Sequence, residues 1–413
     1  RHIRFRTRVV AAEWSSPDAR WTLTLAGTGE DGTTRESTLT CRFVYACSGY
    51  YDYEHAYEPE IAGLDDFAGT LVRPQFWPEG LDYRDRRVVI VGSGATAITL
   101  APSMSKDAAH VTMLQRSPTW IGAVPGEDRL ADRLRAVLPP RVAHRLIRSK
   151  NILRQQALYA FCQRWPGPAR KLLLGLTAKS LRSQELVDEH FTPRYDPWDQ
   201  RFCVAPDGDF FREVRRGHVE VVTDHIDRFV ADGIRLARGR VLRADVVVLA
   251  TGLKVLIGGG VRPVVDGVPV DLHAQYLWQG AMLTGLPNFA MAVGYTNASW
   301  TLRADLSSRL VCKVLNEMRR RGAVSVVPQL DRPVRPQPLL GLSSGYITRA
   351  LDELPQQGDS GPWRVRQNYL VDAVTTLRRD LDKTLRFETA PTRATLVETP
   401  QAAPSARSRS GSV

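Results

Sequence analysis

Cysteine is scarce in this sequence, and its few copies are poorly spaced for chemistry. The chain has 413 residues and five cysteines, an odd number, and no two of them form a CxxC pair. This spacing excludes a disulfide framework and a redox dithiol, and it indicates a reducing compartment. No Cys/His spacing typical of zinc sites occurs either, so no metal site is predicted.

The sequence also lacks a signal peptide and any apolar run long enough to cross a bilayer. Its apolar fraction of 43% and charged fraction of 24% are ordinary for a globular protein. A chain of this length can form two packed domains, each with its own core. We therefore expect a cytoplasmic protein.

Acidic residues are outnumbered, because 56 lysines and arginines face 44 aspartates and glutamates and leave a net charge of +12. Such an excess raises the question of a nucleic-acid or membrane partner. The excess is mostly arginine and is densest from Arg129 to Arg182, but no aromatic-interleaved basic motif accompanies it. We predict a solvated basic surface and no nucleic-acid partner, with weak peripheral membrane contact as the alternative.

Two stretches of the chain show the same sequence pattern, and each is called an echo below. Each contains a strand and a short alternating meander, followed by a buried apolar strand that ends in small residues and glycine, at 43–49 and at 246–252. In open parallel sheets, ligands bind beyond the carboxyl ends of strands, where glycine permits close approach. The pattern predicts an α/β fold with two dinucleotide-binding sheets; two unrelated strands followed by turns are the alternative. The predicted cofactor contacts are Ser48, Gly49, Thr251 and Gly252.

A dinucleotide-binding motif lies between the two echoes. The apolar strand at 87–91 is followed at once by Gly92-Ser93-Gly94-Ala95-Thr96-Ala97 and then by an apolar helix. The first glycine allows the tight turn, the second leaves room for a pyrophosphate, and the small Ala97 lets helix and strand pack closely. The pyrophosphate would meet free N–H groups at the positive end of the helix. The predicted cofactor contacts are Gly92, Ser93, Gly94, Ala95 and Thr96.

The end of the next strand favours NADPH over NADH. An NAD site usually has an acidic residue there for the ribose hydroxyl, but this strand continues into Gln115-Arg116-Ser117. A guanidinium can pair with a 2′-phosphate through two hydrogen bonds. Arg116 and Ser117 are therefore predicted NADPH contacts, and a surface arginine at a strand end is the alternative.

The rest of the chain is organised around a long helical region. Helical periodicity runs from Asp128 to Glu189 with breaks at two proline clusters, 139–140 and 166–168, and a further helix is predicted at Ser299–Arg320. The final residues are rich in Ala, Pro, Ser, Thr and Arg, which is typical of disorder. The predicted divisions are 1–84 (first part of the FAD domain and linker), 85–206 (NADPH domain with helical insertion), 207–389 (return to the FAD domain, C-terminal helices) and 390–413 (disordered tail).

With these motifs in view, the chain resembles class B flavoprotein monooxygenases, and among them the actinobacterial Baeyer–Villiger enzymes that oxidise ketones and thioamides. The likeness extends nearly to the tail. Its most specific part is Phe67–Pro78, which is similar to the family fingerprint Phe-x-Gly-x-x-x-His-x-x-x-Trp-Pro and matches four of its five spaced anchors. Arg73 stands where the family has a histidine, which helps to couple movement of the NADPH domain to catalysis, so Arg73 is a predicted catalytic residue; a linker between two sheets, with Phe67 and Trp77 packed in the core, is the alternative.

The resemblance implies an FAD- and NADPH-dependent monooxygenase. NADPH reduces the flavin, O2 forms a C4a-peroxyflavin, and one oxygen atom is inserted beside a ketone carbonyl or added to sulfur. Arg201 falls where the family carries an arginine at the flavin, and a fixed cation there stabilises the anionic peroxide and its adduct; a loop ion pair is the alternative. Asn297 or Ser299, expected to cap a helix beside the flavin, are further predicted contacts.

One element that the family requires is missing from the sequence. No second strand–GxGxxG–helix unit for FAD is found, and the chain opens at Arg1 directly in strand-like sequence. We therefore expect that the natural start lies upstream, that the FAD domain is incomplete and that FAD binds weakly to this chain. Two alternatives stay open: an N- or S-oxygenating flavin monooxygenase, and an inactive NADPH-binding fragment.

Overall fold

The computed structural model describes residues 2–378 and 380–390. The part of the predicted disordered tail after residue 390 therefore lies outside the described residues. The strands in chain order are β1 Thr7–Ser15, β2 Arg20–Thr28, β3 Thr34–Cys41, β4 Val44–Ala46, β5 Thr70–Val72, β6 Arg87–Val91, β7 His110–Gln115, β8 Ile121–Val124, β9 Cys203–Pro206, β10 Val219–Thr223, β11 Ile226–Val230, β12 Gly233–Leu236, β13 Val241–Arg243, β14 Val246–Leu249, β15 Pro263–Val265, β16 Val268–Pro269, β17 Leu277–Trp278, β18 Met282–Leu283, β19 Phe289–Met291, β20 Ser325–Pro328, β21 Pro336–Pro338, β22 Gln356–Gly358 and β23 Leu385–Glu388. The helices are α1 Ala95–Met104, α2 Arg129–Val137, α3 Pro140–Arg164, α4 Pro166–Leu181, α5 Gln184–His190, α6 Asp209–Arg215, α7 Trp300–Arg321, α8 Gly345–Thr348 and α9 Tyr369–Arg378.

A five-stranded parallel sheet, in the order β10-β7-β6-β14-β5, forms the centre of the first domain. Its central strands β14 and, after Arg87, β6 are apolar and buried in every position because both faces are covered. Alternate residues such as Val88 and Ile90 pack in one core with α1 and α6, whereas Val89 and Val91 pack in a second core with the β11-β12-β13 meander. This three-layer arrangement is the predicted dinucleotide-binding fold.

A second domain is built around the mixed sheet β17-β18-β19-β4, in which β4 and β19 are parallel. Helix α7 covers one face, where Leu310 and Val314 contact Met282 and Ala290 in a shared core. The other face packs on the sheet β16-β15-β1-β2-β3, with Trp14 and Trp21 buried between them. The first echo thus supplies β1 to β4.

The helical insertion forms where the proline clusters predict its breaks. Helix α2 ends before Pro139, α3 begins at Pro140, and α4 begins at Pro166, since proline is tolerated in the first turn of a helix but not in its interior. Among the described residues, no helix combines the length and apolar character needed to cross a membrane.

The predicted domain boundary at residue 206 does not match the sheets. Strands β10 and β14, which the sequence analysis grouped with the return to the FAD domain, lie in the same parallel sheet as β6. Strand β14 hydrogen-bonds to β6 on one side and to β5 on the other. Such long-range pairing is invisible to local periodicity, so the second echo belongs to the first domain's sheet.

Candidate cofactor-binding site

The carboxyl ends of the parallel strands carry most of the predicted site residues at one edge of the sheet. Arg73 follows β5, Thr251 and Gly252 follow β14, Gly92 follows β6, and Arg116 follows β7. Parallel strands end at a common edge, and this is where ligands bind in open α/β sheets. The structure therefore brings Gly92 and Arg116 to the same sheet edge as Thr251 and Gly252, which are far from them in sequence.

The glycine turn after β6 has the geometry that a dinucleotide requires. Gly92 has a φ of 138°, and a Cβ atom there would collide with the backbone oxygen of Ala250, so only glycine fits. At Gly94 a Cβ atom would meet no atom within 4 Å. Because protein packing does not require a glycine at position 94, the open space fits an incoming pyrophosphate.

Helix α1 begins at this turn and leaves its first N–H groups without a side-chain cap. Gly94, Ala95 and Thr96 are exposed, while Ala97 is fully buried against the sheet. Ser93 is held in place by a hydrogen bond of 2.7 Å between its Oγ and Oγ1 of Thr119. The uncapped amide groups and the open turn together fit the diphosphate of NADPH.

Arg116 is exposed at the end of β7, and within the described residues no carboxylate lies at ion-pair distance from it. Its neighbour Gln115 is buried and donates hydrogen bonds from Nε2 to the backbone oxygen of His190 (2.6 Å) and to Oγ1 of Thr223 (2.9 Å). His190 Nδ1 also contacts Oγ1 of Thr223 at 2.8 Å, and burial lowers the pKa of the imidazole. This polar cluster, which the sequence analysis missed, fixes the backbone that presents Arg116.

Thr251 and Gly252 continue the same edge beyond β14. Gly252 has a φ of 110°, and a Cβ atom there would approach Tyr346 and Arg349. The hydroxyl of Thr251 is buried without a hydrogen-bond partner in the described residues. The Arg349 guanidinium lies 3.7 Å above the centre of the Tyr57 ring. An orphaned hydroxyl beside open backbone is suited to a ligand.

Arg73 forms an ion pair with a carboxylate. Its Nη2 donates to Oε2 of Glu58 at 2.6 Å, while its Nε is buried and without a partner. Within the fingerprint, Gly69 is required by packing, since a Cβ atom there would meet the Phe67 ring and the backbone oxygen of Asp245. The fingerprint thus positions β5 at the sheet edge, and the role of Arg73 in coupling domain movement to catalysis stays a prediction.

Arg201 lies in a group of tyrosines from distant parts of the chain. Its Nη2 donates to the hydroxyl of Tyr50 at 3.4 Å, and Tyr51 packs on Tyr50 with ring centres 4.4 Å apart. Burial, reinforced by Tyr51, raises the pKa of Tyr50, so its hydroxyl stays protonated; Arg201 opposes this to a smaller degree. Among the described residues Arg201 has no carboxylate partner, which argues against the loop ion pair. The guanidinium therefore keeps an uncompensated charge.

Tyr50 follows the Ser48–Gly49 turn directly, so Arg201 is brought to the carboxyl end of β4. Gly49 has a φ of 73°. A cavity of about 700 Å³ adjoins the turn and is lined mainly by apolar side chains, with Ser48 and Asp52 at its wall. Strand β4 pairs with β19 on one side and, in the described part of the chain, with no strand on the other.

These features fit only part of an FAD molecule. The turn and the apolar cavity suit a flavin, but the described residues hold no second glycine turn leading into a helix. The one strict GxGxxG spacing in the sequence, Gly27 to Gly32, forms the hairpin turn between β2 and β3 instead.

The predicted capping of α7 is wrong. Ser299 precedes the helix, but its hydroxyl bonds to Oγ1 of Thr301 (2.8 Å) and accepts no backbone N–H. Asn297 donates from Nδ2 to the backbone oxygen of Gln367 (2.9 Å), and its Oδ1 is buried without a partner in the described residues. Gln367 comes from a distant segment that no local pattern connects to Asn297. Contact of either residue with a cofactor stays a prediction.

A parallel sheet with an open glycine turn and an exposed arginine at its carboxyl edge is typical of nucleotide-dependent oxidoreductases. The family model described as flavin-binding monooxygenase-like matches residues 1–132. The chain is 48% identical over 397 residues to the FAD-containing monooxygenase EthA of Mycobacterium tuberculosis, covering 95% of this chain and 80% of that protein. It is 44% identical over 392 residues to the probable FAD-binding monooxygenase AlmA of Acinetobacter baylyi, covering 94% and 77%.

Solved structures share the fold. A steroid monooxygenase bound to NADP superimposes with a TM-score of 0.67 at 19% identity, covering 94% of this chain and 81% of that one. The enzyme OTEMO in complex with FAD and NADP gives a TM-score of 0.62 at 20% identity, covering 79% and 69%. The chain belongs to the flavin-binding monooxygenase family. The family, the fold class and the enzyme class predicted from the sequence are confirmed.

Proposed function

We propose that this protein uses NADPH and FAD to insert one atom of O2 beside the carbonyl of a ketone, or to oxidise sulfur in a small molecule. The observation that carries the proposal is the Arg201 guanidinium, which has no carboxylate partner in the described residues and lies beside Tyr50 at the end of β4. Arg201 is also exposed to solvent, so its charge is available to an anionic group that forms at the end of β4.

NADPH would bind at the edge of the parallel sheet. The amide groups at the start of α1 and the open Gly94 position would hold the diphosphate, and Arg116 would receive the 2′-phosphate. Gly252 would let the backbone approach the rest of the nucleotide. These contacts support NADPH as the reductant.

The Ser48–Gly49 turn and the cavity beside it would hold the flavin of FAD. Once reduced, bound FAD would supply activated oxygen. The residues of the chain prepare the reaction around it. Arg201 would stabilise the negative charge that develops on the substrate oxygen, as donors do in an oxyanion hole. Tyr50, held protonated, would orient that guanidinium through its hydroxyl. The aromatic rings of Tyr51 and Trp300, which both pack against the Tyr50 ring, would exclude water.

A product assay distinguishes ketone from heteroatom oxidation. The purified chain, supplied with NADPH, O2 and FAD in large excess to offset its weak binding, is given a cyclic ketone in one reaction and a thioether in another. We expect a lactone from the ketone, and Arg201→Ala should lower its formation about a hundredfold. A sulfoxide without any lactone would instead support N- or S-oxygenation, the alternative that Arg73 in place of histidine favours.

The same preparation tests the non-catalytic alternative. A colourless protein that takes up no FAD, forms neither product and is still stabilised against heat by NADPH would overturn the proposal in favour of an NADPH-binding fragment. Matched protein without nucleotide is the control for the thermal measurement.

A further inference from the structure

The positive charge of this protein is concentrated in the helical insertion, residues 129–182, here called the basic hairpin region. It contains thirteen of the 56 lysines and arginines but only one of the 44 acidic residues, Asp132. Its formal charge is therefore +12, which equals the net charge of the whole chain. The remaining residues are balanced, so the excess is a local property of helices α2 to α4.

Most of these cations have no carboxylate partner among the described residues. Carboxylates pair with Arg135, Arg148, Lys150 and Arg170. The other nine, among them Arg141, Arg145 and Arg154, are exposed and have no carboxylate at ion-pair distance within the described residues. An array of unpaired cations attracts an anionic surface.

The same helices expose large apolar side chains. Of the twenty-five exposed large apolar residues in the described chain, nine lie in the basic hairpin region, including Val137 at 80% and Leu153 at 55% exposure. On α3 the exposed residues Val142, Leu146 and Leu153 recur at spacings of four and seven, which places them on one face. Contacts with the phosphates of a nucleic acid would not bury an apolar stripe of this kind.

Helical periodicity places Arg145 on one flank of this stripe and Arg154 on the other. Long arginine side chains beside an apolar stripe can reach headgroups while their stems lie along the acyl boundary. The surface continues onto α9, because Arg148 Nη2 lies 3.5 Å from the Tyr369 hydroxyl and the adjacent Leu370 is exposed.

We propose that the basic hairpin region docks on the surface of an anionic lipid bilayer, with the apolar stripe of α3 in the interface and the unpaired arginines on the headgroups. The charge selects the partner: a second copy of this chain would present the same strongly cationic face and would be repelled. No helix needs to span the bilayer, since an interfacial helix lies in the membrane plane.

The test is flotation of the full 413-residue chain with lipid vesicles. Phosphatidylcholine vesicles containing about one third phosphatidylglycerol should carry the protein at low salt, whereas pure phosphatidylcholine vesicles should not. Raising the salt concentration should weaken the binding strongly, because the Debye length shortens. Failure to float with the anionic vesicles would overturn the proposal.

Paired variants separate the two contributions. Arg141→Gln with Arg145→Gln should lower the partition coefficient about 25-fold, at about fivefold for each cation near an anionic surface. Leu146→Ser with Leu153→Ser should lower it about tenfold at unchanged charge.

Matched control pairs test whether the effect belongs to this surface. Arg238→Gln with Arg262→Gln, and Val241→Ser with Val268→Ser, change exposed residues elsewhere and should leave binding intact. Equal losses in the control pairs would contradict the proposal. So would duplex DNA binding that depends on the arginines and not on the leucines, or a dimer in solution that Leu146→Ser with Leu153→Ser dissociates without any vesicle binding.

Discussion

Replacing Arg116 by alanine should convert a site that prefers NADPH into one that does not distinguish the two coenzymes. In the described structure the guanidinium is exposed and has no carboxylate partner, so the substitution breaks no internal ion pair and should leave the fold intact. A charged hydrogen-bond pair with a phosphate contributes about 1.5–3 kcal/mol. At about 1.4 kcal/mol per factor of ten, NADPH affinity should fall about 10- to 150-fold.

Isothermal titration calorimetry of the wild-type chain and the variant with NADPH and with NADH measures the effect. NADH affinity should change less than about twofold, because that coenzyme lacks the 2′-phosphate. Arg238→Ala is the matched control, since Arg238 is also exposed and pairs with no carboxylate in the described part of the chain. Unchanged NADPH affinity, or equal weakening of both coenzymes, would refute the role assigned to Arg116.

Three further perturbations have defined outcomes. Gly92→Ala should lower the free energy of unfolding by more than about 2 kcal/mol, because of the positive φ and the collision with the backbone oxygen of Ala250, and a urea denaturation midpoint equal to wild type would contradict this. Arg201→Ala should lower product formation about a hundredfold while NADPH affinity measured by calorimetry stays the same; a parallel loss of both would show a binding role instead. Hydrogen bonds from Arg87 and the ion pair with it lower the pKa of Asp245 to about 2. The Asp245 carboxylate therefore stabilises the fold at pH values above its ordinary pKa, and this stabilisation is lost as the pH falls toward 2. Urea denaturation of Asp245→Asn and wild type should differ most near neutral pH and converge in acid, and a constant difference would exclude this titration.

The parts of the site that depend on local sequence were predictable. The Gly92–Ala97 turn needs only a strand before it and a helix after it, and Arg116 needs only the end of the next strand. The helix breaks at Pro139 and Pro166 follow from the missing N–H of proline. Each of these features is encoded within a few residues of where it appears.

The parts that depend on distant pairing were not predictable. Strand β14 lies between β6 and β5, which placed Thr251 and Gly252 beside the glycine turn rather than in a separate region. The contact of Arg201 with Tyr50 joins residues 151 positions apart. Asn297 was expected to cap α7 but bonds to Gln367, because the competing partner lies in a segment with no periodic signal.

Electron transfer from NADPH to flavin is the step on which the account depends most directly. Under anaerobic conditions, NADPH added to the FAD-supplied chain should bleach the visible absorbance of the flavin. Gly94→Leu should prevent this bleaching without lowering stability, since no protein atom lies within 4 Å of the added Cβ position but the pyrophosphate would be blocked. Bleaching at the same rate in wild type and Gly94→Leu would contradict the assignment of the NADPH site.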